Sequence, residues 1–364
     1  MYLLLTQCFP SRLGGIESLV SNLALSISKY NKVVVFADQY HLLYDTIYDN
    51  KYKDKILIKR FSGIKYFRRR KKTKEIKFFI ESTKVKYIIA DTWKSLELCI
   101  DFINKKNITV MCLAHGNELL SNNLNKKERI ISTLNKVPLI VANSNYTATL
   151  VKQLIGNKNN ISVVYPGANN LCSLKPDISL KIEGKPVLLT LARLEKRKGH
   201  ALILEAIKKL KENFPNIKYL IAGEGNLKFE LKKIVDKYNI NLNVQFISNV
   251  NEHQKKQLFN HTSLMIMPTL DESYKRSIEG FGISYIEAAF FGIPSIVSNV
   301  GGTPEAVLHE KTGIVIDDQN QLFRVINDLL SNKDKLKQLG DRAKKRAEKS
   351  FKWDNVVNKY LSVF

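Results

Sequence analysis

The chain reads as an α/β protein with two parallel sheets, each covered by helices on both faces. Short apolar runs alternate with helical patterns along its whole length, which is the signature of βαβ units. The pattern restarts after Pro186, and 364 residues exceed the usual size of one hydrophobic core. In the first half the strand candidates are Tyr2–Cys8, Lys32–Ala37, Val85–Ala90, Ile108–Leu113, Pro138–Ala142 and Ile161–Tyr165. In the second they are Val187–Leu191, Lys218–Ala222, Val244–Ile247, Leu264–Met267, Ser295–Val297 and Ile314–Ile316. The stretch Leu174–Lys185 has little periodicity and contains Pro176, Asp177 and Gly184, so it marks the join. The expected division is residues 1–172, residues 173–345, and a tail 346–364 whose helix packs back on the first domain.

Composition narrows the class. No run approaches the roughly 20 apolar residues of a spanning helix, and Met1–Leu5 lacks the basic flank of a secretory signal, so the chain is expected in the cytosol. Cys8, Cys99, Cys112 and Cys172 are widely spaced and include no C-x-x-C pair, which predicts free thiols rather than a disulfide framework or a zinc site. The net charge is +24, and between Lys51 and Lys86 fifteen Lys/Arg face only Asp54, Glu75 and Glu81. A solvated basic surface is the plain reading of this block. Its centre, Arg68-Arg69-Arg70-Lys71-Lys72, lies near Phe67, Ile76, Phe78, Phe79 and Ile80, so the functional readings are a peripheral segment at an anionic membrane face or attraction to a polyanion. Nucleic acid ranks lower, because no nucleic-acid-binding signature is present.

The strongest local signal is Glu279-Gly280-Phe281-Gly282-Ile283-Ser284-Tyr285-Ile286-Glu287. Apolar residues at helical spacing run from Ile283 to Phe291 and stop at Gly292-Ile293-Pro294, so a helix is expected from near Gly282 to near Gly292. Its N–H groups and dipole then favour a phosphate beside Gly280 to Gly282. On a helical rise the carboxylates of Glu279 and Glu287 fall about 10–12 Å apart, too far for one acid/base couple and suited to two ends of one elongated ligand.

Other polar clusters follow strands, where ligands of open parallel sheets bind. Gly14 and Gly15 sit between the first strand and a helix, which permits close approach of a ligand or simply a tight turn. They do not form a G-x-G-x-x-G dinucleotide fingerprint. Arg193 and Lys198 follow Val187–Leu191, where two cations can neutralise a diphosphate; a charged loop containing Glu195, Lys196 and Arg197 is the plain alternative. His115 ends the strand Ile108–Leu113, placed either to bond a ligand hydroxyl or to serve the fold. Gly223-Glu224-Gly225 and Gly301-Gly302-Thr303-Pro304-Glu305 supply further glycine loops. With no Asp-x-Asp pair and no histidine cluster, metal-dependent phosphate binding is disfavoured.

Together these residues resemble the family-four retaining glycosyltransferases of the GT-B fold, over nearly the whole chain. The likeness rests on Glu279 through Ala288 as an E-x7-E motif, on Gly292-Ile293-Pro294, and on Gly301-Gly302-Thr303-Pro304-Glu305. Gly14-Gly15, Ala142-Asn143-Ser144, Val164-Tyr165-Pro166-Gly167, Arg193 and Lys198 support it. The resemblance implies two Rossmann-like domains facing across a cleft, and transfer of a hexose from a UDP- or GDP-linked sugar to an acceptor hydroxyl with the anomeric configuration kept. It implies that Arg193 and Lys198 bind the diphosphate, Glu279 the donor sugar and Glu287 the ribose. It further implies that Gly14, Gly15, Gly223 and the segment Gly280, Phe281, Gly282 and Ile283 border the donor, and that His115 lies beside the reacting carbon, without a metal. The loop Thr269–Ile278 is similar to that of a mannosyltransferase subgroup acting on membrane lipids. The acceptor is then a lipid-linked glycan, a polysaccharide precursor or a small metabolite. The rival readings are a non-hydrolysing sugar-nucleotide epimerase of the same fold, and a membrane- or polyanion-binding protein whose site has lapsed.

Overall fold

A computed structural model describes residues 1–157 and 160–364. The chain forms two compact units, Met1–Gly167 with Trp353–Phe364, and Ala168–Lys352. The first unit runs β1 (Tyr2–Thr6), α1 (Gly15–Ile27), β2 (Val33–Asp38), α2 (Leu42–Tyr52), β3 (Leu57–Phe61), α3 (Lys65–Ser82) and β4 (Tyr87–Ala90). Two short helices follow, α4 (Trp93–Leu96) and α5 (Ile100–Ile103). Then come β5 (Thr109–Ala114), α6 (Leu124–Leu134), β6 (Leu139–Ala142), α7 (Asn145–Ile155) and β7 (Asn160–Val163). Its sheet is parallel, in the order β3-β2-β1-β4-β5-β6-β7.

The second unit runs β8 (Val187–Leu191), α8 (His200–Asn213), β9 (Lys218–Ala222), α9 (Lys228–Lys237), β10 (Val244–Ile247), α10 (Glu252–His261) and β11 (Leu264–Met267). It continues with α11 (Ile283–Phe290), β12 (Ser295–Ser298), α12 (Thr303–Ala306), β13 (Gly313–Ile316), α13 (Leu322–Ser331) and α14 (Lys333–Ser350). Its six parallel strands are ordered β10-β9-β8-β11-β12-β13. The chain then returns to the first unit as α15 (Trp353–Leu361).

Central strands such as β1, β8 and β11 read as nearly unbroken apolar runs because both faces of a parallel sheet are covered. In the first unit, Leu3, Leu5, Val34 and Ile88 face a core shared with Ile76 and Ile80 of α3, while Leu4, Val35 and Met111 face one shared with α1 and α15. Each such side chain, fully buried, stabilises the fold by about 1.5–3 kcal/mol. Helix α15 contributes Val356, Val357 and Tyr360 to the second of these cores. The ring of Trp353 lies against Gly167 so closely that a Cβ there would overlap it.

The strand expectations hold in position throughout, and β8, β9, β10 and β11 match residue for residue. One strand is additional. Inside the basic block, β3 forms the edge of the first sheet, with Lys59 and Leu57 turned outward. Charge on an edge strand protects it from pairing with other chains, and it hides the apolar alternation from a sequence reading.

The basic block itself differs from an open cationic surface. Lys72 is buried, 4% exposed, and donates to the carbonyl of Thr6 at 2.8 Å and to Asp38 at 2.5 Å. Arg68 pairs with the other oxygen of Asp38 at 3.0 Å, and Arg69 with Glu97. Ile76 and Ile80 belong to the core and Phe79 packs partly against it, while Phe67 and Phe78 are exposed. Neutralising Asp38 under the carboxyl end of β2 requires cations, and the helix that follows β3 supplies two. All four cysteines are free thiols; burial pushes Cys99 up to about 12.

Candidate active site

The second unit gathers most of the expected residues where four strands end. The exits of β8, β9, β11 and β12 interlock through glycines that leave no room for a side chain. A Cβ on Gly223 would overlap the carbonyl of Ala192, one on Gly225 that of Leu194, one on Gly199 that of Pro268, and one on Gly301 that of Glu279. Backbone bonds lock the same loops: Leu194 donates to Glu224 at 2.8 Å, Leu270 to Arg197 at 2.7 Å, and Gly302 to Glu279 at 2.9 Å. Between β8 and β11 the strand order reverses direction, which is where open α/β sheets form a crevice.

At the centre of these loops is Glu279. Arg197 Nη1 donates to its Oε2 at 2.8 Å, and Lys198 Nζ donates to the same oxygen. Arg197 and Lys198 are both buried, at 3% and 8% exposed, and Arg197 Nε has no hydrogen-bond partner among the described residues. Burial works against the charge on Glu279, but Lys198 and Arg197 together overcome it and hold the carboxyl down at about 2. For Lys198, burial is the larger influence, and with repulsion from Arg197 it outweighs Glu279 and lowers the ammonium pKa. Arg197 Nη2 also lies 3.8 Å from Glu195, which Arg193 reaches from the exposed side, so three cations meet two carboxylates and one positive charge is left over, the electrostatic requirement of an anion site.

Arg193 is not part of that buried cluster. Its side chain is 69% exposed and pairs with Glu195 at 2.7 Å. Arg197, set aside in the sequence as a member of a charged loop, takes the inner position. The short helical turn Lys196–Lys198 carries Arg197 and Lys198 inward together, and the sequence of the loop holds no signal of it.

Helix α11 begins at Ile283 with Gly282 as its left-handed N-cap, φ 100°. Glu279 therefore lies on the approach to the helix and only Glu287 on it. Glu287 is buried and pairs with Lys255 of α10 at 3.4 Å. The two carboxylates occupy separate ion pairs. Gly280 precedes the cap, and the side chain of Phe281 is buried against Phe351, ring centroids 5.8 Å apart, leaving its backbone at the helix start. A Cβ on Gly282 would overlap the Tyr285 ring, whose hydroxyl donates to the carbonyl of Met267 at 3.0 Å.

The first unit holds Gly14, Gly15 and His115. Gly14 caps α1, but the carboxylate of Glu17 folds back over it and pairs with Arg12 at 2.9 Å, so the helix N-terminus already faces an anion. His115 follows β5; its backbone N–H donates to Glu118 at 2.7 Å, and its ring Nε2 lies 2.8 Å from the Asp91 carbonyl. A carbonyl only accepts, so Nε2 carries the proton and Nδ1 is the acceptor. Among the described residues no three His, Cys, Asp or Glu side chains are grouped to hold a metal ion.

Residues 174–346 match the family described as glycosyl transferases group 1, and the chain is a glycosyltransferase with two Rossmann-like units of the GT-B type. It is 23% identical over 261 residues to a GDP-mannose-dependent alpha-(1-6)-phosphatidylinositol monomannoside mannosyltransferase of Mycobacterium tuberculosis, covering 69% of this chain and 68% of that protein. Among solved structures, Anabaena HepE in complex with UDP superposes with a TM-score of 0.81 at 18% identity, covering 99% of this chain and 98% of that one. Sucrose-phosphate synthase from Thermosynechococcus elongatus also gives 0.81, at 17% identity, covering 100% and 98%.

Proposed function

We propose that this glycosyltransferase moves a hexose from a nucleoside-diphosphate sugar to an acceptor hydroxyl with retention of anomeric configuration, in the synthesis of a cell-envelope glycan, polysaccharide or glycolipid. The observation that carries the reading is the buried Arg197–Lys198–Glu279 cluster beside the start of α11, which with Arg193 and Glu195 at its edge is left with one positive charge. A diphosphate leaving group gains negative charge as the glycosidic bond breaks, and fixed cations stabilise it without a proton transfer. Lys198, seated beside Arg197 on Glu279, takes that role together with Arg193, which turns from Glu195 to the diphosphate; Glu279 orients the sugar, and Glu287 of α11, paired with Lys255 of α10, takes the ribose hydroxyls. The departing diphosphate oxygen receives the acceptor's proton, so no enzyme base is required at that step. His115, with its Nε2 proton fixed on Asp91, offers Nδ1 to a sugar hydroxyl.

Support for a nucleotide-sugar donor comes from two similar proteins, the GDP-mannose-dependent mannosyltransferase and Anabaena HepE, which is also solved in complex with UDP-glucose. They differ in base, so the donor is to be read by thermal shift against UDP- and GDP-hexoses. A donor that binds should stabilise the folded protein by about 2.7 kcal/mol at a hundredfold excess over Kd and so raise the unfolding midpoint. Lys198→Ala should then lower kcat by about 10²–10³-fold while the protein stays folded. No shift with any nucleotide-sugar, or full activity of Lys198→Ala, overturns the reading. Formation of a new sugar-nucleotide from donor alone would replace it with epimerisation.

A further inference from the structure

We propose that the rim of the first sheet around β2 and β3 is a docking surface for an anionic lipid bilayer, with apolar side chains that enter the interface and lysine and arginine side chains that meet the headgroups. The proposal is independent of the sugar donor and of the site in the second unit.

Strands β2 and β3 are parallel neighbours, with Asp38 opposite Phe61 at their carboxyl ends, and Gln39 N–H donates to the carbonyl of Phe61 at 2.8 Å. Helix α2 starts four residues after β2 ends, and α3 four residues after β3 ends. Both helix starts therefore stand on one rim, anchored there by Asp45 beside Arg60 and Asp38 beside Arg68. What these starts present outward is apolar. Leu42, Leu43 and Ile47 of α2, with Ile64 and Phe67 at the start of α3, are each more than half exposed. Large apolar side chains gathered at one edge of a domain mark an interaction surface.

Charge selects the occupant. Of the run Arg68 to Lys72, the side chains Arg68, Arg69 and Lys72 are spent inside the unit, but Arg70 and Lys71 are exposed. Lys65, Arg70 and Lys71 form no ion pair among the described residues, and Arg70 stacks on Tyr66, 4.1 Å from its ring centre. An apolar fringe backed by unpaired cations complements a bilayer of acidic lipids, where each basic residue near the surface adds about 1 kcal/mol. A second copy of the chain would bring the same cations against themselves, in a protein whose net charge is already +24.

The test is flotation of the full chain with vesicles of equal parts phosphatidylglycerol and phosphatidylcholine, and with phosphatidylcholine alone. The wild type should float with the acidic vesicles and remain below with the neutral ones. Removing Arg70 and Lys71 as Arg70→Ser and Lys71→Ser should weaken binding about fivefold each. Leu42→Ser with Leu43→Ser and Phe67→Ser should abolish flotation. Since all five side chains are exposed, the unfolding midpoints of both variants should equal that of the wild type. Wild-type chain that stays below with acidic vesicles overturns the proposal, as does flotation of the apolar variant at wild-type level. Self-association in gel filtration that the apolar variant abolishes would assign the rim to a chain–chain contact instead. Unchanged donor-induced thermal shift in both variants separates this surface from the sugar-nucleotide site.

Discussion

Arg197 and Glu279 lie 82 positions apart in the chain and meet at 2.8 Å, on the same carboxylate oxygen that Lys198 reaches from the neighbouring position. One oxygen with two cations makes Glu279 the organising charge of the site, and it makes the pH dependence of stability predictable.

The Glu279 carboxyl is held at about 2, below its ordinary 4.5. A carboxylate depressed in the folded state contributes stability that is present above its unfolded pKa and is lost as pH falls through the folded one. Stability should therefore drop by about 3 kcal/mol between pH 4.5 and pH 2 from this group. Glu279→Gln should flatten that part of the curve and cost about 3–5 kcal/mol at neutral pH, because Arg197 and Lys198 are left buried without their anion. Urea unfolding of both proteins at stepped pH checks this; parallel curves through the acid window would refute it.

Gly301 has φ 62° and no space for a Cβ against the Glu279 carbonyl. Gly301→Ala should cost about 1–3 kcal/mol from backbone strain alone. It should also displace Glu279, so the donor-induced thermal shift should shrink more than that of an equally destabilised variant elsewhere. A normal shift in Gly301→Ala would separate the loop after β12 from the site.

Two adjacent lysines should behave oppositely. Lys72→Met removes a buried donor from the Thr6 carbonyl and Asp38 and should cost about 3–5 kcal/mol. Lys71→Met, on the outward face, should stay within about 0.5 kcal/mol of the wild type. Equal denaturation midpoints would contradict the buried assignment.

The sheet strands were legible because parallel strands covered on both faces must be apolar throughout, so β8 to β11 could be read to the residue. Edge strand β3 escaped because Lys59 and Arg60 interrupt its pattern, and an edge needs no continuous apolar face. The start of α11 was legible from Gly282, since only glycine sits easily at that left-handed cap before an apolar helix. The ion pairs were not. Nothing in the run Glu195 to Lys198 says which cation turns inward, because that depends on a carboxylate supplied from beyond β11. In the same way Lys72 reads as one of five basic residues until Asp38 is placed beneath it.

Because the chain leaves the first unit at Gly167 and comes back only at Trp353, the second unit is an insertion between two pieces of one core. Synthesis on the ribosome runs from the N-terminus, so β1 to β7 emerge long before Val356, Val357 and Tyr360 exist to cover their apolar face. The earlier-made sheet is the one completed last, and its α1 side lacks the share of its cover that α15 supplies through the whole time that the other sheet is being translated.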